Sequence, residues 1–223
     1  MQSPNKKFYS FRADANALGG YLEAPCRKCI PTLAPVSLPA VGGFAMARSE
    51  AFTLDEIVRC SSAYTRVSGR QDAEDGSVSI LITAVVEGLN LLEVVTARRV
   101  VAQVSISIPK ENGPLQISLT GSRFEGLLLA GHECCPKLNP KHEWITRDPK
   151  SGNILCSAFE EDADPTTSCG HVVEIPGFGR ITLGELRLSG DSVQFVAIRA
   201  DLGCPVTGGV SICCGGGGGS GDL

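Results

Sequence analysis

The chain has 223 residues, a formal net charge of -4, and 43% hydrophobic and 20% charged residues. That is enough to bury one large all-β core, and the acidic balance argues against general binding of nucleic acid or anionic membranes. No apolar run reaches the roughly 20 residues of a membrane-spanning helix, and the two lysines near the N-terminus are not followed by the apolar stretch of a secretory signal. A cytoplasmic setting is the default expectation, with a surface or extracellular one as the alternative, because ten cysteines sit uneasily in a reducing compartment.

Residues 1–43 read as an extended, Pro/Gly-rich N-terminal arm. Pro25, Pro31, Pro35, Pro39 and Gly42-Gly43 forbid a helix and disfavour a central strand, so the segment should run over the surface or along a sheet edge. Its apolar residues, among them Phe11, Leu18, Leu22, Leu33 and Leu38, need a surface to cover. An arm of this kind can add a strand to a neighbour's sheet, which is a route to self-assembly. Gly19-Gly20 reads as a turn.

A single β domain is expected over 44–212. At its start, Thr53-Leu-Asp-Glu56 has the form of a capping box and Phe52 with Ile57 that of a hydrophobic staple, which predicts a short helix. Cys60 to Val67 then reads as a strand ended by Ser68-Gly69 and a polar loop over 70–76. Val78, Ile80, Ile82, Ala84 and Val86 alternate with Ser77, Ser79, Leu81, Thr83 and Val85, as a strand with one strongly apolar face does, and a Gly88-Leu-Asn-Leu-Leu connection follows. Val100, Val104, Ile106 and Ile108 form a second alternating run, and Leu115, Ile117 and Leu119 a third. The short breaks between them favour antiparallel returns over helical crossovers.

The stretch Glu87-Gly-Leu-Asn-Leu-Leu-Glu-Val-Val-Thr-Ala-Arg-Arg-Val-Val-Ala-Gln-Val104 resembles a segment of bacterial β-rich surface proteins of the choice-of-anchor type, in which a similar phrase precedes a strand. The resemblance implies a structural or surface role and assigns no catalytic residue. That family usually carries an export signal, which this sequence lacks.

Residues 131–170 interrupt the strand pattern with Pro136, Pro140, Pro149, Pro165, two histidines, four cysteines and the single tryptophan, Trp144. So long an irregular insertion is usually functional or disordered. The pattern resumes over His171–Ile175 and turns at Pro176-Gly177. It then enters a hairpin: with Gly190-Asp191 as the turn, Leu188 faces Val193, Leu186 faces Phe195, Leu183 faces Ile198 and Ile181 faces Ala200. Both arms change apolar phase near Gly184, which predicts a bulge or corner there. Residues 213–223 read as a flexible Gly-rich tail. The whole predicts an all-β fold, an antiparallel sandwich or jelly-roll-like domain of about eight to ten strands with one irregular Cys/Pro-rich insertion.

Three chemistries are open to these residues. Cys26-Arg-Lys-Cys29 has the two-residue spacing that lets two thiolates reach one zinc, and these could join His132, Cys134, Cys135 and His142 at a structural zinc, but the second cluster matches no standard finger. Buried single thiols, or disulfides drawn from Cys134, Cys135, Cys156, Cys169, Cys213 and Cys214, fit the spacing better. Gly190-Asp-Ser192 has a superficial likeness to serine-hydrolase signatures but occupies a hairpin turn, and Cys169 with His171 is a weak nucleophile–base pair. No phosphate-binding glycine motif is present, and no cofactor beyond the candidate zinc is indicated. The reading that results is a non-catalytic structural or binding β-domain, self-assembling or bound to another protein, with neither nucleic acid nor a membrane span. The alternative is a ligand-binding or hydrolytic domain with its site under the 131–170 insertion.

Overall fold

The computed structural model describes residues 9–22, 28–108, 116–136, 145–147, 154–155, 168–189, 192–204 and 208–220. Among these there are nineteen strands and no helix. The first are β1 (Ala13–Leu22), β2 (Lys28–Leu33), β3 (Val36–Ser37), β4 (Gly43–Ser49), β5 (Phe52–Leu54), β6 (Val58–Cys60) and β7 (Ser62–Gln71). Then come β8 (Val78–Leu91), β9 (Val95–Ile108), β10 (Gln116–Ser118), β11 (Arg123–Glu125), β12 (Leu128–Leu129) and β13 (His132–Glu133). The last are β14 (Ile145–Arg147), β15 (Ile154–Leu155), β16 (Ser168–Ile175), β17 (Gly179–Ser189), β18 (Ser192–Cys204) and β19 (Gly208–Ser220).

Two antiparallel sheets result. Seven strands form one, in the order β16-β17-β18-β19-β1-β2 with β3 beside β1; twelve form the other, around the long β8–β9 hairpin. β1 and β19 lie against β7 and β8, and β18 lies against β9, so the sheets pack face to face as the sandwich expected from the alternating pattern. Their facing side chains make one buried cluster, including Leu18, Ile82, Leu89, Val104, Leu183 and Phe195. Each fully buried Leu, Ile or Phe contributes about 1.5–3 kcal/mol.

The β17–β18 hairpin has the register read from the sequence: Leu188 faces Val193, Leu186 faces Phe195, Leu183 faces Ile198 and Ile181 faces Ala200. Leu186 and Phe195 are core neighbours, 2% and 1% exposed. Gly184 has a left-handed φ of 68°, and the β16–β17 register shifts opposite it, between Cys169 and His171. The expected bulge is therefore present.

The β8–β9 hairpin repeats the device. Even positions from Val78 to Val86 are buried before Gly88, and odd positions Leu89 and Leu91 after it; β9 switches between Ala97 and Val100 at the same level. Gly88 has φ 60°, and a Cβ there would lie 2.7 Å from Ser61 Oγ. What reads in sequence as a connection after Val86 is the second half of a kinked strand.

Five other expectations are corrected. Thr53 lies in β5, not a helix. Asp55 and Glu56 take left-handed φ values of 46° and 56°, and the Ile57 N–H donates to Leu54 O at 2.9 Å, so the capping-box residues form a hairpin turn. The pairing of Phe52 with Cys60, and of Val58 with Leu91 in the long hairpin, outweighs the local helix signal. β7 runs through Ser68-Gly69 to Gln71, and β1 runs through Gly19-Gly20. The described residues of 11–22 and 28–38 are not a surface arm but part of the sandwich, because Phe11, Ala13, Ala15, Ala17, Leu18, Ile30, Leu33 and Leu38 are all in the core. Pro31 does sit on an edge strand, β2. The glycine run, read as a flexible tail, lies in β19 and is paired on both sides, Gly217 facing Phe195 on β18 and Ala15 on β1. Two ladders hold a segment whose composition alone would leave it mobile.

Candidate functional site

Among the described residues, β4 is an edge of the twelve-stranded sheet and pairs only with β7. Its register is unbroken from Gly43 opposite Gly69 to Ser49 opposite Ala63, without proline or bulge. Small residues Ala45, Ala47 and Ser49 face inward and are half-buried, while Phe44 and Met46 point out, 50% and 61% exposed. Inside, the Ala34 N–H donates to Ser49 Oγ at 2.9 Å and the Thr65 hydroxyl donates to Ala34 O at 2.5 Å, fixing β4 and β7 to the segment that crosses beneath them. Outside, the Arg66 guanidinium lies 5.0 Å from the Phe44 ring centre. Exposed Leu81 continues the same row across Ser68, and Val41 just before the strand is 90% exposed. Edges of this kind normally carry charges, prolines or bulges that deter pairing; β4 carries only Arg48. Sequence reasoning passed over it, although Phe44-Ala-Met-Ala-Arg48 has strand periodicity, because its large residues face water instead of the core.

The cysteines and histidines are spread over both sheets. Cys29 is on β2, exposed, and His132 is on β13, exposed. Cys134 and Cys135 follow β13, the first half-buried with its N–H donating to Leu127 O at 2.9 Å, the second exposed. Cys169 lies on β16 and Cys213 and Cys214 on β19, while Cys26, His142 and Cys156 lie outside the described residues. Among the described residues, no three His, Cys, Asp or Glu side chains come together as a metal site would require. Cys29, Cys60, Cys134 and Cys135 are free thiols, so Cys134 is held by packing against the core and by its backbone hydrogen bond. The β16–β17 register shifts between Cys169 and His171, with the extra residue on β17 at the Gly184 bend.

Burial pushes the Cys60 thiol up, partly offset by a hydrogen bond to the Phe52 backbone. Burial, then the neighbouring Cys135, does the same to Cys134. Since the thiolate is the reactive species, alkylation of the native protein followed by peptide mass mapping will label Cys29 and Cys135 ahead of Cys134, with Cys60 last. Labelling of Cys60 at the rate of Cys29 would mean that the β5–β6 hairpin opens freely.

Each long hairpin also carries a Glu–Arg contact beside its glycine kink. Glu87 faces Arg99 in register, with Oε1 3.7 Å from Arg99 Nε; Ser62 Oγ donates to Glu87 Oε2 at 2.9 Å, and Arg99 Nη2 donates to Tyr64 Oη at 3.0 Å. That bond to Tyr64 is the main cause of the raised Arg99 pKa. Glu185, next to Gly184, is 5% exposed and sits between Arg187 and Arg199. All these carboxylates are paired with guanidinium groups, an arrangement that fixes a bend and offers no free base. A cleft of about 310 Å³ lies elsewhere, bordered by Phe11, Arg12, Asp14, Leu38, Ala40 and Ser192.

No curated protein and no solved structure matches the chain. One family model does, over residues 8–151 and 139–189, a reach that takes in most of both sheets. The chain therefore belongs to the family described as a domain of unknown function, DUF8256.

Proposed function

We propose that this chain is a non-catalytic β-sandwich module that works through association, either with other copies of itself or with another protein. The observation that carries this reading is the open β4 edge, with Phe44 and Met46 turned to solvent on a strand that lacks the usual devices against pairing. The resemblance of residues 87–104 to surface proteins points the same way, toward a structural role. Sedimentation velocity of the full chain over a wide concentration range tests it. The expected result is a mass that rises above the 23.4 kDa of one chain as concentration increases. A single species of monomer mass throughout, together with no partner retained on the immobilised protein, would sink the reading.

A ligand-binding reading has one observation in its favour, the cleft between Phe11, Leu38 and Ser192, where Arg12 and Asp14 supply polar groups on an apolar floor. Among the described residues, its border is formed by the start of β1, the segment before β4 and the start of β18.

A further inference from the structure

We infer that β4 joins two copies of this chain, antiparallel about a two-fold axis through Met46, so that their twelve-stranded sheets continue into one another. The inference rests on the association reading above and names its surface and its partner.

It starts from the choice of edge. β2 contains Pro31, and its register with β1 shifts; β16 pairs with β17 across the bulge at Gly184, so its own pairing is uneven; β5 has only three residues. β4 is seven residues long, evenly paired along its inner side and free of such interruptions. Its outer edge therefore presents a continuous row of backbone donors and acceptors suited to another strand.

The strand is also complementary to itself. Two identical strands that keep the same face outward can shift only in steps that preserve side-chain parity. With the axis at Met46, that residue meets its own copy, Ala45 meets the partner's Ala47, Gly43 meets the partner's Ser49, and Phe44 meets the partner's Arg48. Each pair fits: small against small, methionine against methionine, and a guanidinium against an aromatic ring on both sides of the axis. Arg66, 5.0 Å from the ring centre of Phe44, already makes that last kind of contact within one copy. Centring the pair on Ala45 would leave Arg48 opposite Gly42, and centring it on Ala47 would set Phe44 opposite the carboxylate of Glu50. Of these three registers, the one at Met46 gives both Arg48 and Phe44 complementary partners. A two-fold contact of this kind closes on itself and yields a dimer, not an open fibre.

Sedimentation velocity on the full chain separates the possible results. Met46 is 61% exposed, so Met46→Lys should fold with an unchanged melting midpoint while placing two ammonium groups face to face at the axis. Dimerisation should weaken by about tenfold or more. Phe44→Arg should weaken it too, by opposing the partner's Arg48, and Phe44→Arg with Arg48→Phe should recover it by exchanging the two roles. A parent chain that dimerises equally well as Met46→Lys would overturn β4 as the contact and leave self-association standing. A double variant no better than Phe44→Arg would overturn the Met46 register. A parent chain that stays monomeric at every concentration would remove both this inference and self-association.

Discussion

Phe11→Ala will lower folding stability by about 3–5 kcal/mol, the range for an aromatic ring removed from a packed core. Phe11 is 3% exposed and meets Tyr9 edge-on at 5.0 Å between ring centres. Its ring lies in a cradle that exists because two residues have no side chain. A Cβ on Gly69 would come within 2.7 Å of Phe11 Cδ1 and 2.6 Å of Leu38 Cδ2, and one on Gly42 within 2.9 Å of Phe11 Cε2. The backbone is fixed at the same place, with the Phe11 N–H donating to Ala40 O at 2.9 Å and the Leu38 N–H to Ala13 O at 2.8 Å. The ring thus ties the start of β1, in one sheet, to β7 in the other. Gly69→Ala should destabilise from the opposite side, by about 1–3 kcal/mol, through overpacking, since no left-handed φ is involved. Urea unfolding of both variants checks this. Two midpoints equal to the parent's would place the N-terminal segment outside the cooperative core and restore the reading of residues 1–43 as an arm. With the core as described, removing residues 1–43 should unfold the sandwich instead of merely weakening assembly.

What the sequence disclosed depended on whether side-chain alternation and turn chemistry agreed. In β17–β18 they do: Gly-Asp in the sequence signals a turn, the apolar residues on each arm mirror one another, and the register follows residue by residue up to Ser189 opposite Ser192. In β8–β9 the alternation reverses at Gly88, and the turn is made by Leu92 and Glu93 at φ 53° and 59°, residues that rarely adopt left-handed backbone. With neither signal intact, the strand seemed to end early. Asp55-Glu56 misled for the same reason. The glycine run is illegible by its nature, since strands without side chains have no period of two, and only the ladders with β1 and β18 define β19. The candidate edge failed to stand out because β4 reverses the usual pattern, hiding alanines and exposing Phe44 and Met46. Cysteine spacing said little about position, because Cys29 lies on β2 of the seven-stranded sheet, whereas Cys134 follows β13 of the twelve-stranded one.

Glu185→Leu will cost about 3–5 kcal/mol, comparable to the loss of Phe11, although it replaces a charged residue with an apolar one inside a largely apolar sandwich. Neither candidate motifs nor strand periodicity singled this residue out. Its side chain is 7% exposed and its carboxylate is set between two guanidinium groups where Gly184 bends the strand. Arg187 Nε donates to Oε1 at 2.8 Å, but Arg187 is 42% exposed, and water screens that contact to a small contribution. Arg199 is different, because its side chain is only 20% exposed and its Nε lies 2.9 Å from Oε2. Neither of those two atoms has a well-aligned hydrogen bond, so the contact is charge attraction more than a directed bond. Remove the carboxylate, and Arg199 keeps a largely buried charge with nothing to balance it. Removing both groups has the opposite consequence: Glu185→Leu with Arg199→Leu leaves no unpaired charge and should recover most of the lost stability, as buried ion pairs replaced by apolar residues often do. Thermal or urea unfolding of the two single variants and the double variant gives the coupling directly. If Glu185→Leu alone unfolds at the parent's midpoint, Arg199 reaches solvent without its partner, and the Gly184 bend is held by packing alone.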